Sequence, residues 1–129
     1  KKIFIDRSDS KFTHCKLVNN IEVIEYLKSK GFESYKISEL DFFEQIYLFS
    51  NADTIVGPHG AAFSNIVFSK AGMNLIELIP KNHPSIKCKK ISKLLNLNYK
   101  KIELQYILNK ESDNGDMKIE INQLEKLIK

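Results

Sequence analysis

Apolar positions come along this chain in short bursts, and the spacing within each burst switches between the strand period and the helix period. Lys2 to Asp6 predicts a buried strand, because Ile3, Phe4 and Ile5 are apolar in succession and the polar run Asp6-Arg7-Ser8-Asp9-Ser10 punctuates it. From Asn20 the positions Ile21, Ile24 and Leu27, with Val23 and Tyr26, keep helical spacing up to Gly31, which stands where a left-handed cap belongs. Phe32 to Ile37 predicts a second strand, and Ser38 followed by Asp41 opens a second helix through Phe42, Ile46, Leu48 and Phe49. Thr54-Ile55-Val56-Gly57 is the β-branched signature of a buried central strand. A tight turn of small residues, Pro58 to Ala62, leads into an expected helix from Ala62 to Ser69, with Phe63, Ile66 and Val67 on one face.

Leu75 to Ile79 predicts a strand broken only by Glu77 and closed by Pro80, which cannot donate to a ladder. Pro84 to Leu95 predicts a helix, basic on one side and apolar at Ile86, Ile91, Leu94 and Leu95, and Tyr99 to Leu104 a further strand. Asn109 to Asp116 is polar and contains Gly115, so a loop is expected there, then a short strand at Ile119 and Ile121 and a last helix capped by Asn122. Strands alternating with helices point to an α/β domain with a mainly parallel, doubly wound, Rossmann-like sheet covered on both faces. Such sheets bind ligands beyond the carboxyl ends of their strands, which directs attention to the turns after Ile5, Val56 and Ile79.

Composition narrows the function classes. At 129 residues, 43% hydrophobic and 28% charged, the chain suits one packed core and lacks the signature of disorder. Its apolar runs last only a few residues, far from the ~20 of a membrane-spanning helix. Of the 20 basic residues Arg7 is the only arginine, so the bidentate base contacts of a nucleic-acid reader are not expected. That lone planar fork is a candidate for phosphate or carboxylate; an exposed arginine at a strand end is the plainer reading. Cys15 and Cys88 are too few for a disulfide scaffold or a zinc site, and a reducing compartment is expected. No apolar leader precedes the first strand, so no secretory signal is expected, and the abrupt start leaves open a small domain or a piece of a longer protein.

Gly57-Pro58-His59-Gly60-Ala61-Ala62 carries the most specific chemistry. A glycine-bearing turn between a buried strand and a helix start lets a ligand approach the backbone, and free N–H groups with the helix dipole favour an anion. His59 adds a donor for a phosphate oxygen, and Asn65 lies further along the same helix. The competing reading is a mere tight connection, with His59 capping the helix and Asn65 exposed. Neither a dinucleotide fingerprint nor a Walker loop is present. Glu77 inside an apolar strand needs a partner if buried, and a ribose hydroxyl would serve; on an edge strand it would mean nothing. Phe49, Phe63 and Phe68 are expected in the core. Adjacent His14 and Cys15 do not make a nucleophile pair, and His14, His59 and His83 show no metal-ligand spacing.

The ordered run Gln45, Phe49, Ala52-Asp53, Ile55-Val56-Gly57-Pro58-His59-Gly60-Ala61-Ala62, Asn65 and Phe68, continued by Gly72 and Ile76-Glu77-Leu78, closely resembles the carboxyl-terminal half of glycosyltransferase family 61. The resemblance covers roughly residues 3 to 80. It implies the carboxyl-terminal, nucleotide-sugar-binding domain of a two-domain GT-B enzyme: a single Rossmann-like domain over 1–129, part of a longer protein and inactive alone. The implied enzyme is an inverting hexosyl- or pentosyltransferase with no essential metal and no other cofactor, acting in capsular or other cell-surface polysaccharide synthesis. Its implied partners are a nucleotide sugar, a glycan or other acceptor and the missing amino-terminal domain. Its implied place is cytoplasmic, at the inner face of the membrane, with only indirect membrane association and no nucleic acid. A non-catalytic nucleotide- or partner-binding module is the alternative.

Carried over by position, Arg7 matches the family's first-loop arginine and Asn19 the asparagine that opens the next helix. Gly57, His59, Gly60, Ala61 and Asn65 match the donor-site turn, and Glu77 the acid after it. Where the family commonly has a second arginine, this chain reads His14-Cys15-Lys16, so Lys16 is the expected substitute, a point charge without the bidentate fork. No catalytic base is assigned.

Overall fold

In the computed structural model, residues 1–8, 15–109 and 112–128 are described. Five parallel strands form the main sheet: β1 Lys2–Ile5, β2 Phe32–Tyr35, β3 Thr54–Pro58, β4 Asn74–Pro80 and β5 Asn98–Leu104, side by side in the order β2-β1-β3-β4-β5. The expected doubly wound α/β architecture is therefore present. Pleating divides the sheet's side chains between two cores. Phe4, Val56, Ile76 and Leu78 point to the face covered by α1 (Asn20–Ser29) and α4 (Ile121–Glu125), together with Met117 and Ile119. Ile3, Ile5, Ile55 and Leu75 point to the other face, under α2 (Phe42–Ser50), a 3-10 helix at Ala61–Phe68 and α3 (Lys87–Leu95). Phe49 and Phe63 are buried there as expected, with Phe68 packed beside them.

The helix boundaries follow local chemistry. Gly31 adopts φ +87°, the left-handed position just past α1 that the sequence predicts. Asp41, rather than Ser38, caps α2: its carboxylate accepts from the Glu44 N–H at 2.8 Å, and Glu44 returns the bond to the Asp41 N–H at 3.1 Å. Ser38 lies instead in a 3-10 turn, Ile37–Glu39, which also ends β2 earlier than the sequence suggests.

Three expectations are corrected. The helix after the Pro-His-Gly turn is 3-10 rather than α, a distinction that apolar spacing over eight residues does not resolve. The segment expected to be a loop is largely an antiparallel hairpin, β6 Tyr106–Asn109 with β7 Ser112–Met117; main-chain pairing makes it, with a register shift between Ile107 and Asn109, and polar composition hid it. Residues 110 and 111 of that segment lie outside the described residues. Ile119 is not in a strand, and the last helix is capped by Glu120 rather than Asn122: it begins at Ile121, and the Gln123 side chain accepts from the Glu120 N–H at 3.0 Å. Among the described residues no helix is long and apolar enough to cross a membrane.

Candidate functional site

A strand order of 2-1-3-4-5 reverses direction between β1 and β3, and the crevice beyond the carboxyl ends of those two strands is the topological switch point of an open parallel sheet. The loop carrying Arg7 and the turn carrying His59 leave the sheet side by side there. Asp6, 7% exposed, shapes the first of them: its Oδ1 accepts from the Ser8 N–H at 2.8 Å and from Asn20 Nδ2 at 3.0 Å, a side-chain turn that tips the chain out of β1 and ties it to the start of α1. Arg7 then reaches across to the second turn, where Nη1 donates to the His59 carbonyl. Its guanidinium lies where a side chain on Gly60 would go, an added Cβ falling 2.5 Å from Cζ. Glycine at 60 is thus required by the arginine rather than by backbone angle, since Gly60 is fully extended.

Beside this contact is a pocket of about 120 Å³ lined by Arg7, Ser8, Lys16, Leu17, Asn20 and Pro58. Two of the six are cations and none is acidic. Lys16 is held there from a distance: its carbonyl accepts from the Met117 N–H at 2.7 Å, and the Val18 N–H donates back to the Met117 carbonyl at 2.8 Å. The end of β7 therefore pins the segment leading into α1.

His59 and Glu77 form the second half of the site. The Glu77 side chain, 2% exposed, faces the α2 and α3 side of β4. Its Oε2 meets His59 Nδ1 at 2.7 Å, and its Oε1 accepts from the Tyr99 hydroxyl at 2.6 Å. Burial pushes its pKa up, but the hydrogen bonds from His59, Tyr99 and the Cys88 thiol outweigh this and hold it below the usual carboxylate value. The carboxylate in turn joins burial in pushing the Cys88 thiol and Tyr99 phenol far up, so both stay protonated donors. The His59 N–H donates to the Leu78 carbonyl at 2.8 Å, and its ring, 14% exposed, packs against that of His83, 4.5 Å away between centroids.

The candidates named from sequence thus divide. Arg7 and Lys16 line one pocket at the switch point, Arg7 also meets the His59 carbonyl and Gly60, and Ala61 opens the 3-10 helix immediately behind them; the His59 ring turns instead to Glu77. Glu77 meets that ring: the partners its burial demands are His59 and Tyr99, and β4 is central rather than an edge. Gly57 faces away from the crevice: a Cβ there would lie 2.9 Å from Ile5 Cβ and 3.2 Å from Phe63 Cζ, so its bareness serves core packing. Asn19 is bound to the carboxyl-terminal segment, donating to the Ile119 carbonyl at 2.7 Å. Asn65 donates to Gln45 Oε1 at 2.8 Å, linking the 3-10 helix to α2. His59 does not cap that helix, because its ring is turned to Glu77.

Asp6 and Tyr99 are not singled out from the sequence, and His83 and Cys88 are weighed there only as metal ligands or a disulfide partner. Asp6 follows a buried strand directly, a position that favours a side-chain turn; Tyr99 and Cys88 are reached only through tertiary pairing. Burial pushes the Cys15 thiol above its usual value, so it is an inert core group; His14 lies outside the described residues. Among the described residues no three of His, Cys, Asp and Glu are grouped as metal ligands.

No curated protein matches the chain. The profile of the family described as Glycosyltransferase 61 matches residues 1–76, from the start of β1 into β4, and so takes in the Arg7 loop, Lys16 and the whole His59 turn. That is more than half of the chain, which belongs to glycosyltransferase family 61, enzymes that carry a sugar from a donor to an acceptor.

Proposed function

We propose that this domain binds the nucleotide-sugar donor, with the diphosphate lodged at the switch point between β1 and β3. One observation carries the reading: Arg7 and Lys16 stand on the wall of one pocket, and Arg7 is braced against the turn that begins the 3-10 helix. An arginine fork and a lysine point charge suit phosphate oxygens, and the first N–H groups of a helix lack intrahelical partners and add to the attraction. The leaving diphosphate is stabilised by these groups and by His59. In this reading the enzyme has a GT-B arrangement, inverts at the transferred hexose or pentose, needs no essential metal and works at the cytoplasmic face of the membrane. It builds capsular or other cell-surface polysaccharide. The acceptor and the catalytic base belong with a preceding domain, so the chain alone binds donor without turning it over.

Calorimetric titration of the chain with uridine and guanosine diphosphates tests this. Saturable binding of at least one is expected, weakened by about 1–3 kcal/mol in Arg7→Ala if the guanidinium bonds a phosphate. No heat from either nucleotide would refute the donor-site reading, and sugar-nucleotide hydrolysis by the chain alone would refute the division of labour.

A further inference from the structure

A carboxylate can only accept a hydrogen bond, and Glu77 is held ionised, so the 2.7 Å contact fixes the proton of the neutral His59 ring on Nδ1. Nε2 is then the nitrogen with a bare lone pair. Such a ring cannot donate to a phosphate until Nε2 takes up a proton, and the carboxylate behind it offsets the charge that results. We infer that Glu77 is the positioning residue of the donor site: it makes His59 work through Nε2, and diphosphate binding draws a proton from solvent onto that nitrogen. The inference rests on the donor-site reading above.

The surroundings fit this division of roles. From β5 the Tyr99 hydroxyl, and from α3 the Cys88 thiol, hydrogen-bond to Glu77 and fix its orientation. From the loop after β4 the His83 ring lies against His59, and from the loop after β1 Arg7 holds the His59 carbonyl, bringing a permanent cation to the same turn. Glu77 is the one acid whose contact with the His59 ring is seen among the described residues. Both of its oxygens already have protein donors, which suits an orienting role rather than contact with the sugar nucleotide.

The test is proton uptake and tautomer state in the same chain. Imidazole ¹⁵N shifts should show Nδ1 carrying the proton and Nε2 bare in the free protein. Adding the diphosphate that binds should protonate Nε2. Titrations in buffers of different ionisation enthalpy should then report net proton uptake. Glu77→Gln, whose amide can donate to Nδ1, should abolish that uptake and weaken binding about tenfold. Tyr99→Phe, which keeps the shape of the site, should reduce the uptake and serves if the first variant does not fold. Nucleotide binding with no proton uptake, or a free ring protonated on Nε2, would overturn the inference and leave the donor site standing. Absence of nucleotide binding would overturn the donor site and this role with it.

Discussion

Two glycines three residues apart answer to different neighbours, and their substitutions should separate binding from stability. The atoms nearest a methyl at Gly60 all belong to the flexible end of Arg7, which can swing aside. Gly60→Ala should therefore melt within about 0.5 kcal/mol of the parent yet lose nucleotide affinity to about the extent of Arg7→Ala. A methyl at Gly57 meets the Cβ of Ile5, fixed to the central strand, and the Phe63 ring. Gly57→Ala should cost about 1–3 kcal/mol of stability by overpacking, with nucleotide affinity altered only through folding. Thermal melts and calorimetry on both variants check the pair, and a strongly destabilised Gly60→Ala would contradict the assignment. The sequence displays both glycines in one turn with nothing to distinguish them. Which one faces the Arg7 guanidinium depends on where β1 lies, a non-local fact. Arg7, His59 and Glu77 were legible in the sequence because a lone arginine, a histidine in a glycine turn and an acid in an apolar strand are each locally costly or unusual. The internal partner of Glu77 was not legible, because Tyr99 becomes its neighbour only when β5 pairs with β4.

At the scale of elements, Glu77, Cys88 and Tyr99 join β4, α3 and β5 through ionisable groups, so the seam between them should be sensitive to both acid and alkali. The Glu77 pKa is lowered in the fold, so the unfolded state binds more protons; its contribution is present above the ordinary value of 4.5 and is lost as pH falls through the lower folded value. Cys88 and Tyr99 have raised values, so their contribution is present below the ordinary values of 9.0 and 10.0 and is lost as pH rises beyond them. Denaturant unfolding as a function of pH should show a plateau with losses on both sides, and Glu77→Gln should flatten the acid side. An acid limb unchanged by that substitution would show that the carboxylate is not coupled to the fold as described. The Asp41 cap gives a simpler case: Asp41→Ala should cost about 1 kcal/mol, readable from the denaturant midpoint, because it leaves the Glu44 N–H without its partner. Elements with side-chain periodicity or a capping residue were legible in the sequence. The β6–β7 hairpin and the 3-10 character of residues 61–68 were not, since backbone pairing and turn pitch leave little trace in apolar spacing.

At the scale of the whole molecule, the recognisable family segment and the folding unit do not coincide. The family match ends at residue 76, in the middle of β4 and one residue short of Glu77, whereas the sheet needs β5 against the whole length of that strand, from Asn74 opposite Asn98 to Pro80 opposite Leu104. Beyond the match lie Leu78, Ile79, Cys88, Leu97, Ile102, Leu104, Met117, Ile119 and Leu124, all buried. At about 1.5–3 kcal/mol for burying a large apolar side chain, removing them forfeits a stabilisation at least comparable with the ~5–15 kcal/mol by which a domain is ordinarily stable. Strand and helix alternation made the sheet class legible, but its order and the anchoring of the site were not, because Met117 and Ile119 meet the segment around Lys16 and Asn19 across about 100 residues of chain. Residues 1–76 expressed alone should therefore show no cooperative thermal transition and no protected amides, and should bind no nucleotide, although the segment carries Arg7, Lys16 and His59. A sharp melting transition from that fragment would mean that the second half decorates the candidate site rather than building it.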